Sequence, residues 1–236
     1  MKQTWRVLVI FVVLMALWNT IIVKPIKLFT VFLHEIGHAF MAVVTGSNIT
    51  GLSIYFNESG HVTSLPKDWL SAFLIANGGY LGSVLFAIFI LVLKNTRFKK
   101  YIIGFIAIIF LGVTFKYSGI ISFTMLYSVI FAAFAIIVYM IQNEKLHDWV
   151  VEIIGIGSVT YAIYDTFVDT VLLQVNDMFG LFRVGPMPVT DAVLIARLTH
   201  IPAVVWGILW LAISIFAVYA ILFRKKGGSG RSAKKY

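Results

Sequence analysis

Ile26-Lys-Leu-Phe-Thr-Val-Phe-Leu-His-Glu-Ile-Gly-His-Ala-Phe-Met-Ala-Val-Val44 decides the fold. The run is long enough to cross a lipid hydrocarbon core as a helix, which takes about 20 apolar residues. His34, Glu35 and His38 interrupt its middle, where unpartnered ionisable groups cost several kcal/mol and so mark function. The rest of the chain has the same character. Of 236 residues, 60% are hydrophobic and 12% are charged, and the mean hydropathy is +0.95. Soluble domains run near half apolar and a quarter charged, and disordered chains lie further towards the polar side, so both classes are excluded. The chain has no cysteine, which rules out disulfides and thiolate ligands; a metal site must use His, Asp or Glu.

Working outward, further apolar runs read as spans at Trp5 to Val23, Trp69 to Leu93, Tyr101 to Phe115, Tyr117 to Ile141, Trp149 to Val175 and Ile201 to Phe223. The expected fold is an all-α membrane protein, a polytopic bundle of six or seven transmembrane helices. A small β-hairpin should follow the second helix, because β-branched and aromatic residues flank the turn tetrad Asn57-Glu-Ser-Gly60. Residues 1–223 read as a single transmembrane domain and 224–236 as a basic, flexible, Gly- and Ser-rich tail. The 19 basic against 10 acidic residues would suggest nucleic acid in a soluble protein, but here the bases flank apolar runs, so no nucleic-acid partner is expected. A seven-span count gathers Lys24, Lys27, Lys94, Arg97, Lys99, Lys100, Lys145 and the basic tail on one side, leaving Lys2, Arg6, Lys67, Lys116, Arg183 and Arg197 on the other. By the positive-inside rule the C-terminus is then cytoplasmic and the N-terminus outside.

His34-Glu-Ile-Gly-His38 is an HExxH pattern. Residues four apart share one helical face, so both imidazoles can address one ion. Glu35 lies about 100° round the helix, close enough to take a proton from water activated there without itself ligating the metal. A catalytic zinc site needs a third protein ligand. The acidic residues lying well inside another apolar run are Asp165 and Asp169, four apart on one helix face. Either can complete the shell, the other orienting an imidazole; the deeper Asp165 is preferred. Asp191, after Pro188 and Thr190, reads as an acidic residue in the first turn of a helix. Asn77 reads as interhelical glue, or as a donor to substrate or to the oxyanion of peptide hydrolysis.

With these motifs the chain resembles the site-2 protease class of intramembrane zinc metalloproteases, in its short bacterial and plant branch without a PDZ domain. The resemblance rests on His34 to His38, the segment Gly51 to Ser64, Gly79-Tyr-Leu-Gly-Ser83, Tyr164-Asp-Thr-Phe-Val-Asp169, and Asp191-Ala192 before the last Trp-rich helix. It implies a zinc endopeptidase in which His34 and His38 hold Zn2+, Glu35 activates water and a later Asp is the third ligand. The chain lacks the Leu-Asp-Gly context that better-studied members show around that Asp.

The expected reaction is hydrolysis of peptide bonds in or near transmembrane segments of other membrane proteins. The expected location is a multi-pass position in a bacterial cell membrane, with the lipid bilayer and a transmembrane protein substrate as partners. A membrane-spanning substrate must be unwound before cleavage, and a strand edge can receive the freed backbone. Ile49 to Phe56, ending in Ile54, Tyr55 and Phe56, or His61 to Leu65 is expected to act as that clamp. The competing readings are a catalytically silent zinc-binding membrane protein and a metal transporter. Transport would need polar residues along a path, whereas the spans are almost wholly apolar beyond this cluster. The sequence leaves the oligomeric state open.

Overall fold

The computed structural model describes residues 2–180 and 189–223. The tail 224–236 and the segment 181–188, with Arg183, lie outside the described residues. The elements in order are α1 (Lys2–Leu17), α2 (Lys24–Val44), β1 (Asn48–Ile54), β2 (Gly60–Leu65), α3 (Trp69–Leu93), α4 (Ile102–Tyr117), α5 (Phe123–Met140), α6 (Glu144–Thr166), α7 (Leu173–Phe179), α8 (Asp191–Thr199) and α9 (Ala203–Phe223). A π-helical stretch, Phe167–Leu172, joins α6 to α7. The chain folds as an all-α bundle with one small hairpin. Among the described residues five helices are long and apolar enough to cross a membrane, and six spans result if α8 and α9, bent by 119°, form one broken crossing. The protein is an integral membrane protein.

Helix boundaries follow local chemistry. Pro25 sits in the first turn of α2, where a missing N–H costs nothing, and Gly46 (φ +65°) follows its end. Asp68 caps α3 by accepting from Ser71 N at 2.7 Å, Ser122 caps α5 through Met125 N at 3.1 Å, and Asn143 caps α6 through Lys145 N and Leu146 N.

The centre of the bundle is the antiparallel crossing of α2 and α3. A Cβ on Gly37 would overlap the carbonyl oxygen of Gly78, and one on Gly82 would lie 2.9 Å from Gly37 Cα. Only glycine lets these backbones touch, the packing that membrane helices use because lipid offers no hydrophobic drive between them. Phe29, Phe32, Phe110 and Phe131 fill the space between α2, α4 and α5, with ring centroids 4.0–5.5 Å apart.

The hairpin lies within this assembly, alongside α2. Its strands pair from Asn48↔Leu65 to Ile54↔Gly60, with a bulge between Ile49 and Gly51. Leu52 and Ile54 are fully buried, and the turn carries Glu58 at φ +69°. Glu58 bridges Lys27 at 2.8 Å and Lys24 at 3.5 Å, pinning the hairpin tip to the start of α2.

One expectation is corrected. Arg6 and Lys94, assigned to opposite sides of the membrane, both pair with the buried carboxylate of Glu152. By length alone the first apolar run, Trp5 to Val23, makes a full crossing. Instead α1, of 16 residues, follows α6 in parallel from Arg6 beside Glu152 to Trp18 beside Asp165. The chain then turns back, so that Ile26 faces Gly157. The start of α1 and the end of α3 therefore share one basic end of the bundle.

Candidate metal centre

α2 presents His34 and His38 one turn apart towards α3, and all three chemical residues of the motif are buried. His38 is fixed by its Nδ1, 2.7 Å from the carbonyl oxygen of Ile75. A carbonyl only accepts, so Nδ1 carries the proton and Nε2 offers a lone pair. The His34 ring packs edge-on to Tyr80 and Tyr161 at 4.8 and 5.7 Å, and its Nδ1 lies 3.5 Å from Ser83 Oγ.

Asp191 supplies the facing carboxylate. Its Oδ2 is 3.0 Å from His34 Nε2 and 3.1 Å from His38 Nε2, and the two Nε2 atoms are 3.2 Å apart. These residues form the metal-capable group found among the described residues. The donor set fits a small divalent ion: bonds of about 2.0–2.1 Å in a tetrahedron imply ligand separations of roughly 3.3 Å. The surrounding structure reserves the space. A Cβ on Gly79 would collide with both Nε2 atoms, so glycine is required where α3 passes the centre. Glu35 sits beside the group, 4% exposed, with Oε2 unpartnered among the described residues. Gly60 of β2 lies directly over it, since a Cβ there would be 2.6 Å from Oε1.

The structure brings together His34, His38 and Glu35 as the motif spacing anticipates, but not with Asp165. That residue, in the last turn of α6, accepts from Trp18 Nε1 at 3.3 Å on the α1 side. Asp169 falls in the π-helical stretch, and its side chain is not among those described. Depth along an apolar run misdirected the choice: Asp191 belongs to a short helix that bends sharply before α9 and so points its first turn into the bundle. Its placement depends on an apolar cluster of Ala76, Tyr80, Ala192, Ile195 and Trp210. Tyr80 stacks on Trp210 at 4.9 Å. Asn77 belongs to the same support: its amide donates to Phe73 O and accepts from Trp210 Nε1, both at 2.9 Å. Asn77 therefore glues helices, with both ends of its amide engaged away from the donor set.

Ile54, Tyr55 and Phe56 lie where β1 ends and the turn begins. Ile54 N and O are both held by Thr124 Oγ1, at 3.0 and 3.3 Å. Tyr55 is exposed and stacked on His61, and Phe56 is exposed beneath Lys24 Nζ. Gly60, at the start of β2, reaches Glu35. Sequence reasoning passed over Gly60, the Gly79 cradle and the Asp191 role; the Asp191-Ala192 landmark was the available signal for the last.

Fold and site together define a polytopic membrane protein built around a buried HExxH centre completed by a distant carboxylate. A family description, peptidase M50B-like, matches residues 7–221; the chain belongs to that family, the site-2 protease class, whose peptidases are zinc-dependent. No curated protein and no solved structure matches the chain.

Proposed function

We propose that this protein is a zinc endopeptidase that hydrolyses peptide bonds in or next to transmembrane segments of other membrane proteins. The observation that carries the reading is the convergence of His34, His38 and Asp191 beside Glu35, whose Oε2 has no partner among the described residues, inside an apolar bundle.

His34, His38 and Asp191 would hold the ion, with the Ile75 carbonyl and Ser83 orienting the imidazoles. When bound, zinc supplies Lewis-acid polarisation of the scissile carbonyl and makes water a nucleophile near neutral pH. Glu35 takes the proton of the attacking water and passes it to the leaving amine. Its burial keeps that carboxylate from being solvated by bulk water, which preserves its strength as an acceptor.

Substrate backbone, once unwound, needs new partners. Thr124 already occupies the outward N–H and C=O of Ile54, which leaves β2 as the strand to which an extended segment adds. Its first residue, Gly60, lies over Glu35, so a peptide paired with β2 runs past the catalytic carboxylate. The ends of α3 and α9 share the basic end, since Ser214 and Ala217 pack near Ala87 and Ile88; by the positive-inside rule that end faces the cytoplasm.

A Glu35→Gln protein in liposomes tests the reading through two measurements, zinc content and cleavage of a synthetic transmembrane peptide. Retained zinc with cleavage lost is the expected result. Continued cleavage would overturn the role of Glu35, and a wild-type protein without zinc would overturn the class.

A further inference from the structure

The first helix leaves a gap. Between α1, the turn into α2 and the start of α6 lies an open cleft of about 540 Å³, walled by Val9, Val13, Ile22 and Ile26. At the basic end it is lined by Trp5, Arg6 and Trp149. From Arg6 to Leu17 the wall is about 16 Å long at 1.5 Å per residue. That is roughly half of a ~30 Å hydrocarbon core, hence the depth of one leaflet.

The charges at the mouth are unbalanced. Arg6 lies over the Trp149 ring at 4.8 Å and pairs with Glu152, but the same carboxylate is also bound by Lys94 Nζ at 2.8 Å. Two cations therefore share one carboxylate, and Arg6 Nε has no partner among the described residues. Lys94, Arg97, Lys99 and Lys100 crowd the adjoining turn; Lys99 is itself paired with Glu144 and Asp148, so with Arg6 five cations face three carboxylates, and tryptophans at a basic rim are what a membrane interface selects.

We propose that this cleft binds one anionic phospholipid, an acyl chain between α1 and α6 and its phosphate on the Arg6 guanidinium, whose side chain is 36% exposed. Width favours an acyl chain, which lies within the groove, over a substrate helix about 10 Å across, which would lie only partly in it. Charge selects an anionic headgroup over a zwitterionic one, because only the former offsets the surplus of cations. The lipid completes the contact of α1 with the bundle, which the protein alone leaves open.

Full-length protein in phosphatidylcholine nanodiscs, doped with equal fractions of brominated phosphatidylglycerol or brominated phosphatidylcholine, provides the test. Bromine quenches tryptophan on contact, and the share due to the cleft is isolated by difference with Trp149→Phe. Wild type should favour the anionic lipid about five-fold at this site. Arg6→Gln should bring the preference close to one while zwitterionic quenching persists. Because Arg6 also holds Glu152, Val13→Phe is the second variant: it leaves the charges in place, fills the groove, and should reduce quenching by both lipids. Equal quenching by the two lipids in wild type, or an undiminished preference in Arg6→Gln, overturns the proposal. So does protection of Trp149 from both lipids, whether by an added transmembrane peptide or by a second copy seen as a dimeric mass.

Discussion

Replacing Gly79 with alanine tests the centre without removing any of its donors. The new methyl group would overlap both Nε2 atoms and stand 2.5 Å from His34 Cε1. Ordinary carbon contacts begin near 3.5 Å, so at least one imidazole must retreat by about 1 Å. Metal sites tolerate displacements of only about 0.2 Å in a ligand bond. Disturbing outer partners alone costs 10–100-fold in affinity, so displacing a ligand should cost about 100-fold or more, roughly 2.8 kcal/mol. The assay is zinc competition against a chromophoric chelator in detergent. Gly104→Ala serves as control, because nothing lies within 4 Å of a Cβ there. Both variants should remain folded, since the Gly79 clash falls on side chains that can swing. Wild-type zinc affinity in Gly79→Ala would refute the assignment of His34 and His38 to one ion.

Asp191→Asn should lower zinc affinity by 10-fold or more, while Asp165→Asn leaves it within about two-fold; equilibrium dialysis of the two proteins decides between the carboxylates. Gly37→Ala sets a methyl against the Gly78 carbonyl, which cannot rotate away, and should cost about 1–3 kcal/mol as a lowered thermal midpoint in detergent. The carboxyl of Glu58 is partly buried, which alone would raise its pKa, but the hydrogen bond from Lys27 and the charges of Lys27 and Lys24 outweigh this and hold it below the usual range. With the folded value depressed, the stabilisation is full above the unfolded value, about 4.3, and is lost as pH falls through the lower folded one. Thermal midpoints of wild type should therefore fall more steeply than those of Glu58→Gln as pH drops below about 4.3.

The membrane character, the helical bundle, the hairpin and the motif-bearing span were legible because each is written in local pattern: apolar runs of crossing length, β-branched residues around Asn57 to Gly60, two histidines at helical spacing. The side on which Arg6 lies was not, because hydropathy measures length and not direction, and a helix that turns back before α2 leaves the same apolar run as one that crosses. Asp191 was misjudged for a related reason. Its surroundings in sequence are those of an interfacial helix start, and only the 119° bend and the docking of Ala192 and Ile195 on α3 carry it inward. For Asn77 the sequence allows both interhelical glue and a substrate contact, and its bond to Trp210 Nε1 is not legible locally because Trp210 lies 133 positions further on.

The carboxylate that completes the centre follows His34 by 157 positions. During synthesis the histidines are inserted long before Asp191 has left the ribosome, and the centre cannot close until α8 and α9 have docked against α3. The complete donor set is thereby deferred to the end of assembly: a chain arrested midway carries both histidines without the carboxylate that faces them.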